Sequence, residues 1–315
     1  MPLESLYNKF ADANQLYNFH YHCLLQDILS REEMDNQRTN TKIKALPNRV
    51  IGYSFQGTLP LINTRKMFPV TAFAELCWTL SGVRKLDWLQ KHTKMWDDFA
   101  NENNEVEAAY GYRWRHMFGR DQLLDGINAL KKDPSDRQIF ISAWDNGRDG
   151  LGNHWTSNVP CPTSFCVNII NNKVNMTVFL RSSDTIVGLP YDMLMYSLLL
   201  IAITIELRYM NPKLSLGRID AMLSHAHIYA AHYDIAEELI KNAQAIDSDQ
   251  SEKYHIQDLN FDDAAILWQF MSISEIIKRP DGAMELFKEI LQQQRNVSWP
   301  PKSNPLKHYK PEIIK

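Results

Sequence analysis

The chain has 315 residues, 44% of them hydrophobic, and a formal net charge of -3. That size and composition suffice for a sizeable core, which excludes fibrous and disordered classes. Acidic and basic residues are interspersed, so a nucleic-acid or membrane partner is not expected, whereas a small anionic ligand is compatible.

In MPLESLYNKFADANQ no basic stretch precedes an apolar core, so a cytoplasmic location is expected. Cys23, Cys77, Cys161 and Cys166 show no C-x-x-C spacing and are read as thiols, with neither disulfide nor metal expected. Leu3 to Arg38 has helical spacing, and Arg49 to Leu61 (RVIGYSFQGTLPL) predicts a strand ended by a turn. Val70 to Leu80 predicts an apolar helix, and Leu86 to Phe99 a second one with Leu86, Leu89, Trp96 and Phe99 on one face. Gln138 to Trp144 and Phe165 to Leu180 are rich in Ile, Val and Phe, with Asn171-Asn172 breaking the latter into a hairpin. Met193 to Leu207 (MLMYSLLLIAITIEL) falls short of the roughly 20 residues that span a bilayer, and it predicts a buried central helix. A surface loop is expected over Ile246 to Lys253 (IDSDQSEK), then helices over Ala264 to Ile277 and Ala283 to Gln293. The elements describe a mixed α/β (α+β) fold, a sheet packed with helices around a long buried helix. With no repeat and no firm boundary, residues 1–315 are read as one domain.

Cys161 lies in VPCP, outside any helical or strand periodicity, on a constrained turn. Alone it reads first as a small buried apolar residue. Arg181, followed by Ser182, ends an apolar strand (VNMTVFLRSSD), where it packs poorly but could hold an anion near that thiol; the alternative is a surface ion pair. A cationic neighbour would favour thiolate over thiol. Asp192 follows GLPY and could cap the buried helix or contact a ligand. His227 and Tyr229 in HAHIYAAH would share one face of a strand, as ligand contacts or as satisfied core groups. Glu75 in AFAELCW puts a charge on an apolar helix face, which requires a partner or a task.

In order along the chain, RTNT at Arg38, FAELCWTLSG around Glu75, KMWDDF around Trp96, AAYGYRWR around Tyr110, DPSDRQIFISAWD around Arg137, VPC at Cys161, LRSSDTIVGLPYDM from Leu180 and HIYAAH at His227 resemble the thymidylate synthase family. The resemblance runs from about Arg38 to His232 and implies the thymidylate synthase fold. It implies that Cys161 is the nucleophile, that Arg38, Arg181 and Ser182 bind the nucleotide phosphate, and that Arg137 reaches that phosphate from the other subunit of a homodimer. His227 and Tyr229 would hold the sugar hydroxyl, Glu75 and Tyr110 would manage protons through ordered water, and Trp96 and Asp184 would contact the folate. The cosubstrate implied is 5,10-methylenetetrahydrofolate, and the substrate a pyrimidine nucleoside monophosphate. Addition of the Cys161 thiolate to C6 turns the ring into a carbon nucleophile at C5, which takes up the one-carbon unit.

Several positions depart from the family pattern. Asp192 stands where synthases acting on uracil have asparagine. An ionised aspartate only accepts hydrogen bonds, which suits the N4 amino group and protonated N3 of cytosine and opposes uracil O4. Aspartate here resembles the deoxycytidylate hydroxymethylases of the family, so cytidylate 5-hydroxymethylation is expected, the alternative being C5-methylation with dihydrofolate as product. Pro162 replaces the usual histidine after the cysteine, Gln138 the second arginine of the cross-subunit pair, and Cys166 and His225 stand where glutamine and aspartate are usual. After His232 the resemblance fades, and the segment from about residue 246 is read as divergent.

Overall fold

A computed structural model describes residues 13–37, 39–152, 158–247 and 270–293. Its frame is one mixed sheet. In spatial order its strands are β1 (Met34–Asn36), β2 (Thr41–Ser54), β7 (Ser215–Tyr229), β5 (Lys173–Leu180), β4 (Pro162–Ile170) and β3 (Phe140–Ser142), and β6 (Ser183–Asp184) pairs with β7 beyond the end of β5. β5 and β6 run parallel to β7, and the other pairs are antiparallel.

Strand alternation sorts the residues by face. Ile51, Tyr53, Phe165, Val167, Met176, Val178, Ile219 and Ala221 are buried under helices that include α1 (Ala13–Leu29) and α4 (Gly188–Arg208). The intervening positions form an opposite face where Val50 is 61% exposed, Phe140 56% and Met222 43%. Among the described residues no helix covers them. Cys166 pairs with Phe140 and Thr177 on that outer face, so its departure from the family pattern belongs to this surface and not to the thiol site.

The apolar run becomes α4, in which every residue from Met193 to Leu207 is buried. At 21 residues α4 is longer than the run and long enough to cross a membrane. Burial decides its role, because 83% of its apolar window lies inside the protein. Truncating a side chain such as Leu199, fully buried here, would cost about 2 to 5 kcal/mol. α2 (Pro69–Ser81) matches its predicted span, with proline in the first turn and Gly82 at φ 71 closing the carboxyl end. The β4–β5 hairpin also stands as expected, with Asn171 and Asn172 at φ 52 and 61 between the strands.

Other expectations need correction. The predicted strand from Arg49 begins at Thr41, because the long partner β7 holds the pairing in register across Pro47 and Asn48. It stops at Ser54. The predicted strand at Gln138 to Trp144 pairs only over Phe140–Ser142. Leu86 to Phe99 is not a helix: it forms short 3-10 turns at Leu89–Lys91 and Asp97–Phe99, with Lys85 bridged to Glu105. There the tryptophans decide the path, since the Trp88 indole donates to Asp281 and the Trp96 indole to Glu75. α3 (Gln122–Lys132) and α5 (Tyr233–Asp247) complete the frame. Of the predicted Leu3 to Arg38 helix, Ala13–Leu29 is helical and Met34–Asn36 is instead strand β1, paired with β2, while residues 3–12 and 38 lie outside the described residues. Residues 246 and 247 end α5, and 248–253 lie outside the described residues. So do 264–269, after which α6 (Ile273–Lys278) starts on a capping box at Ser272 and α7 (Pro280–Gln293) follows.

Candidate active site

Cys161 stands one residue before β4, and Arg181 one residue after its neighbour β5. β5 and β6 keep one register along β7, with Leu180 opposite Leu223 and Ser183 opposite Ala226. Arg181 and Ser182 are thus the pair lifted out of the ladder. The Arg181 backbone N–H donates to the Cys161 carbonyl instead, at 3.0 Å. Its side chain follows: Nε donates to the Pro160 carbonyl and Nη2 to the Val159 carbonyl, each at 2.8 Å, and Nη2 stands 3.7 Å from Cys161 Sγ. A guanidinium beside the sulfur stabilises the thiolate, which is the state that attacks carbon.

The same stretch of β7 carries the expected sugar contacts. His227 and Tyr229 share a face, their rings perpendicular at 4.9 Å, and His225 lies 5.4 Å from His227 on the same side. Register places Arg181 and Ser182 alongside residues 224 and 225, so candidate phosphate and sugar ligands follow one another along a single strand.

A second group, the acids Glu75 and Asp192, lies around Tyr110, which also interacts with Cys161. Glu75, on α2, is 6% exposed and accepts from Trp96 Nε1 at 3.0 Å. Burial raises its pKa to about 7, with the tryptophan bond opposing the rise. Tyr110 opens a single helical turn (Tyr110–Tyr112) that presses on α2, because a Cβ on Gly111 would lie 1.7 Å from the Thr79 carbonyl oxygen. Burial raises the Tyr110 hydroxyl well above its usual pKa, and Cys161, Asp192, Tyr196 and Glu75 act on it next, which identifies its neighbours.

Asp192 does not cap α4. The helix begins at Gly188 with Val187 before it, leaving Asp192 inside the first turns. Val187 at the cap position offers no side-chain bond, and Asp184 Oδ1 accepts from the N–H groups of Ile186 and Val187, at 2.9 and 3.1 Å, in the turn ahead of the helix. Asp192 is left for other work. Burial holds its carboxyl well above the usual aspartate pKa, and the charges of Glu75 and Asp184 push in the same direction.

The thymidylate synthase family model matches residues 19–269, well past His232 where the motifs thin out. The chain belongs to the thymidylate synthase family. Enzymes of this family transfer a one-carbon unit from methylenetetrahydrofolate to C5 of a pyrimidine nucleotide, and this chain is a one-carbon transferase of that kind.

For a thymidylate synthase family site, the structure gathers Cys161, Arg181, Glu75, Tyr110 and Asp192, with Ser182, His227 and Tyr229 along β7. Arg137 is exposed in the segment ahead of β3, before the β3–β4 pairing begins at Phe140. Arg38 lies outside the described residues. Trp96 is 7% exposed, and its indole N–H is committed to Glu75. Among the described residues no group of three His, Cys, Asp or Glu could hold a metal ion.

Three residues escaped the sequence reading. Trp144 lies under the Arg181 guanidinium at 5.8 Å. Tyr196, one turn beyond Asp192 on α4, is fully buried against Trp114 and Phe165 and acts electrostatically on Tyr110. Arg65, 2% exposed, donates to the Ile186 carbonyl at the start of α4. The i, i+4 spacing to Asp192 could have found Tyr196; nothing local marks the other two.

Proposed function

We propose that this enzyme hydroxymethylates C5 of a cytidine monophosphate nucleotide, dCMP or CMP, and that Asp192 reads the base. The observation that carries the reading is the position of Asp192: past the cap position of its helix, it is grouped with Glu75 and with Tyr110, which also interacts with Cys161. Its raised pKa refines the argument from the sequence. A neutral carboxyl gives one hydrogen bond and accepts another, so it can match either base, and either pairing needs one proton. Cytosine N3 is a far stronger base than uracil O4. With cytosine the proton is shared between two basic atoms and held firmly; with uracil it rests on the carboxyl alone, and its loss leaves acceptor against acceptor. The preference for cytosine therefore grows as pH rises.

The remaining groups take roles that fit their environments. The Cys161 thiolate adds to C6, and protonation at N3 draws electrons from that carbon and assists the addition. Arg181, Ser182 and Arg38 hold the phosphate, and His227 and Tyr229 the sugar hydroxyl. Glu75, titrating at about 7, can take up and return protons near neutrality, with Tyr110 between it and the reacting ring. Bound methylenetetrahydrofolate supplies the one-carbon unit. The chain offers it Asp184, whose Oδ1 alone is committed to the backbone, and the Trp96–Phe99 edge, where Phe99 is 38% exposed. Water completes the product as hydroxymethyl.

A homodimer belongs to the same proposal. Arg137 is exposed ahead of β3, where it is open to another subunit, and the uncovered sheet face carrying Val50, Phe140 and Met222 is suited to a second copy. Mass spectrometry of dCMP, CMP and dUMP incubated with enzyme and methylenetetrahydrofolate tests the chemistry. The expected product carries hydroxymethyl on cytosine, with no dihydrofolate formed. A methyl product with stoichiometric dihydrofolate would overturn it. For the dimer, mixing Cys161→Ser with Arg137→Ala subunits should restore turnover that neither variant shows alone.

A further inference from the structure

We infer that Trp144 is a positioning residue for the nucleophile: its ring is the shelf that keeps the Arg181 guanidinium turned toward Cys161 Sγ. This rests on the proposed role of Cys161. Arg181 has two calls on its cation, the sulfur at 3.7 Å and a nucleotide phosphate, and its surroundings decide how the guanidinium is presented. Two carbonyls hold Nε and Nη2 on one edge. Its Cζ stands over the Trp144 ring, 5.8 Å from the centroid, an attractive geometry for a cation over an indole.

The shelf is itself fixed from three sides. The N–H groups of Ala143 and Trp144 both donate to the Thr163 carbonyl, at 2.8 and 3.1 Å, tying the shelf to the start of β4 two residues from Cys161. Behind the ring is Gly150 at φ 64, where an added Cβ would come within 3.0 Å of the indole, so the loop closes on Trp144 without a side chain between them. Below is a fully buried ion pair. Arg113 binds Asp149 and donates to the Ala143 carbonyl at 2.7 Å, and Asp149 accepts from the Asp145 N–H at 2.9 Å. Since Arg113 directly follows the Tyr110–Tyr112 turn, one strut joins that turn, the Trp144 shelf and the thiol.

The test is the reactivity of Cys161 toward iodoacetamide in the intact protein, followed across pH by mass spectrometry of its own peptide. Among the described residues, the charged and titratable groups facing that sulfur include Arg181, from the end of β5, and Tyr110, from the helical turn. A cation held near the sulfur lowers the pH at which thiolate forms; a cation released to solvent does so less. Trp144→Leu should slow alkylation at pH 7 by about threefold or more and move the midpoint of the profile upward, while Trp144→Phe, which keeps a π face, should stay near the parent. If leucine prevents folding, Trp144→Met fills the space without a π face and gives the same reading. A parental profile in a folded leucine or methionine variant would overturn the proposal. Because neither nucleotide nor folate is present, this outcome is independent of whether the enzyme turns over cytidylate.

Discussion

The two sides of the site hold opposite electrostatic environments. Around Cys161 the chain supplies a cation and ties it to the carbonyls of Val159 and Pro160, so an anion at sulfur is stabilised. Around Glu75 and Asp192 burial dominates, and carboxyl groups are held neutral into a higher pH range than usual. One wall favours a thiolate and the other favours protonated carboxyls. Addition of sulfur to a pyrimidine needs both at once, a nucleophile without its proton and a ring that receives one, and in bulk solvent each would quench the other.

The largest expected effect comes from removing the anion. Cys161→Ser should lower turnover by at least about a thousandfold, since an alkoxide is not accessible near neutral pH as a thiolate is. Fold and nucleotide affinity, followed by melting temperature and equilibrium binding, should remain near the parent. Appreciable turnover would remove the nucleophile from this wall.

On the protonated wall, Asp192→Asn should raise the uracil-to-cytosine ratio of kcat/KM by roughly one to two orders of magnitude, because amide and carboxyl differ in which groups they can face at a cost of about 1 to 3 kcal/mol. In the parent the ratio for dCMP over dUMP should climb with pH, and in the asparagine variant it should flatten. A flat parental ratio would show that the proton on Asp192 does not discriminate between the bases.

Stability reports on the same wall. Glu75 titrates at about 7 when folded against an ordinary value of 4.5, so the unfolded chain binds fewer protons than the folded one between those limits. Unfolding free energy therefore falls as pH rises from 4.5 to 7, by up to about 3 kcal/mol for this group alone. Asp192 shifts in the same direction. Glu75→Gln should flatten that fall in thermal melts, and an unaltered slope would place Glu75 in a wetter setting.

These contrasts also mark what the sequence could reveal. Elements whose pattern is local were legible: the Pro69–Ser81 helix from its apolar run, proline and glycine, the hairpin from Asn171-Asn172, the buried central helix from its composition. The motif series placed Cys161, Arg181, Glu75 and His227 in the order that the fold brings together. What failed was decided at long range. Leu86 to Phe99 has helical spacing, yet its tryptophans bond to Glu75 and Asp281, partners that no local window contains. Asp192 could be read as a cap or as a ligand contact because it precedes the apolar run, and the start of the helix at Gly188, which removes the cap, is set by the turn before it. The Trp144 shelf needs Thr163, Gly150 and Arg113 to define it, and only the folded sheet assembles them.

Trp96 gives the smallest expected effect and the finest division of roles. The resemblance assigns it to the folate, while the structure commits its indole N–H to Glu75 Oε1 at 3.0 Å and packs its ring at an angle against Trp78, Phe99 and Tyr110. That bond favours the ionised carboxylate and so opposes the rise caused by burial. Trp96→Phe keeps most of the ring and removes the N–H. With the opposing bond gone, the pKa of Glu75 should climb further, and the limb of the pH–rate profile that it controls should move upward by about half a unit to one unit, a few-fold in rate at neutral pH. The folate KM should change little if the indole acts through Glu75. If the limb stays in place and the folate KM rises severalfold, Trp96 acts on the folate directly, and the carboxyl is held neutral by burial alone.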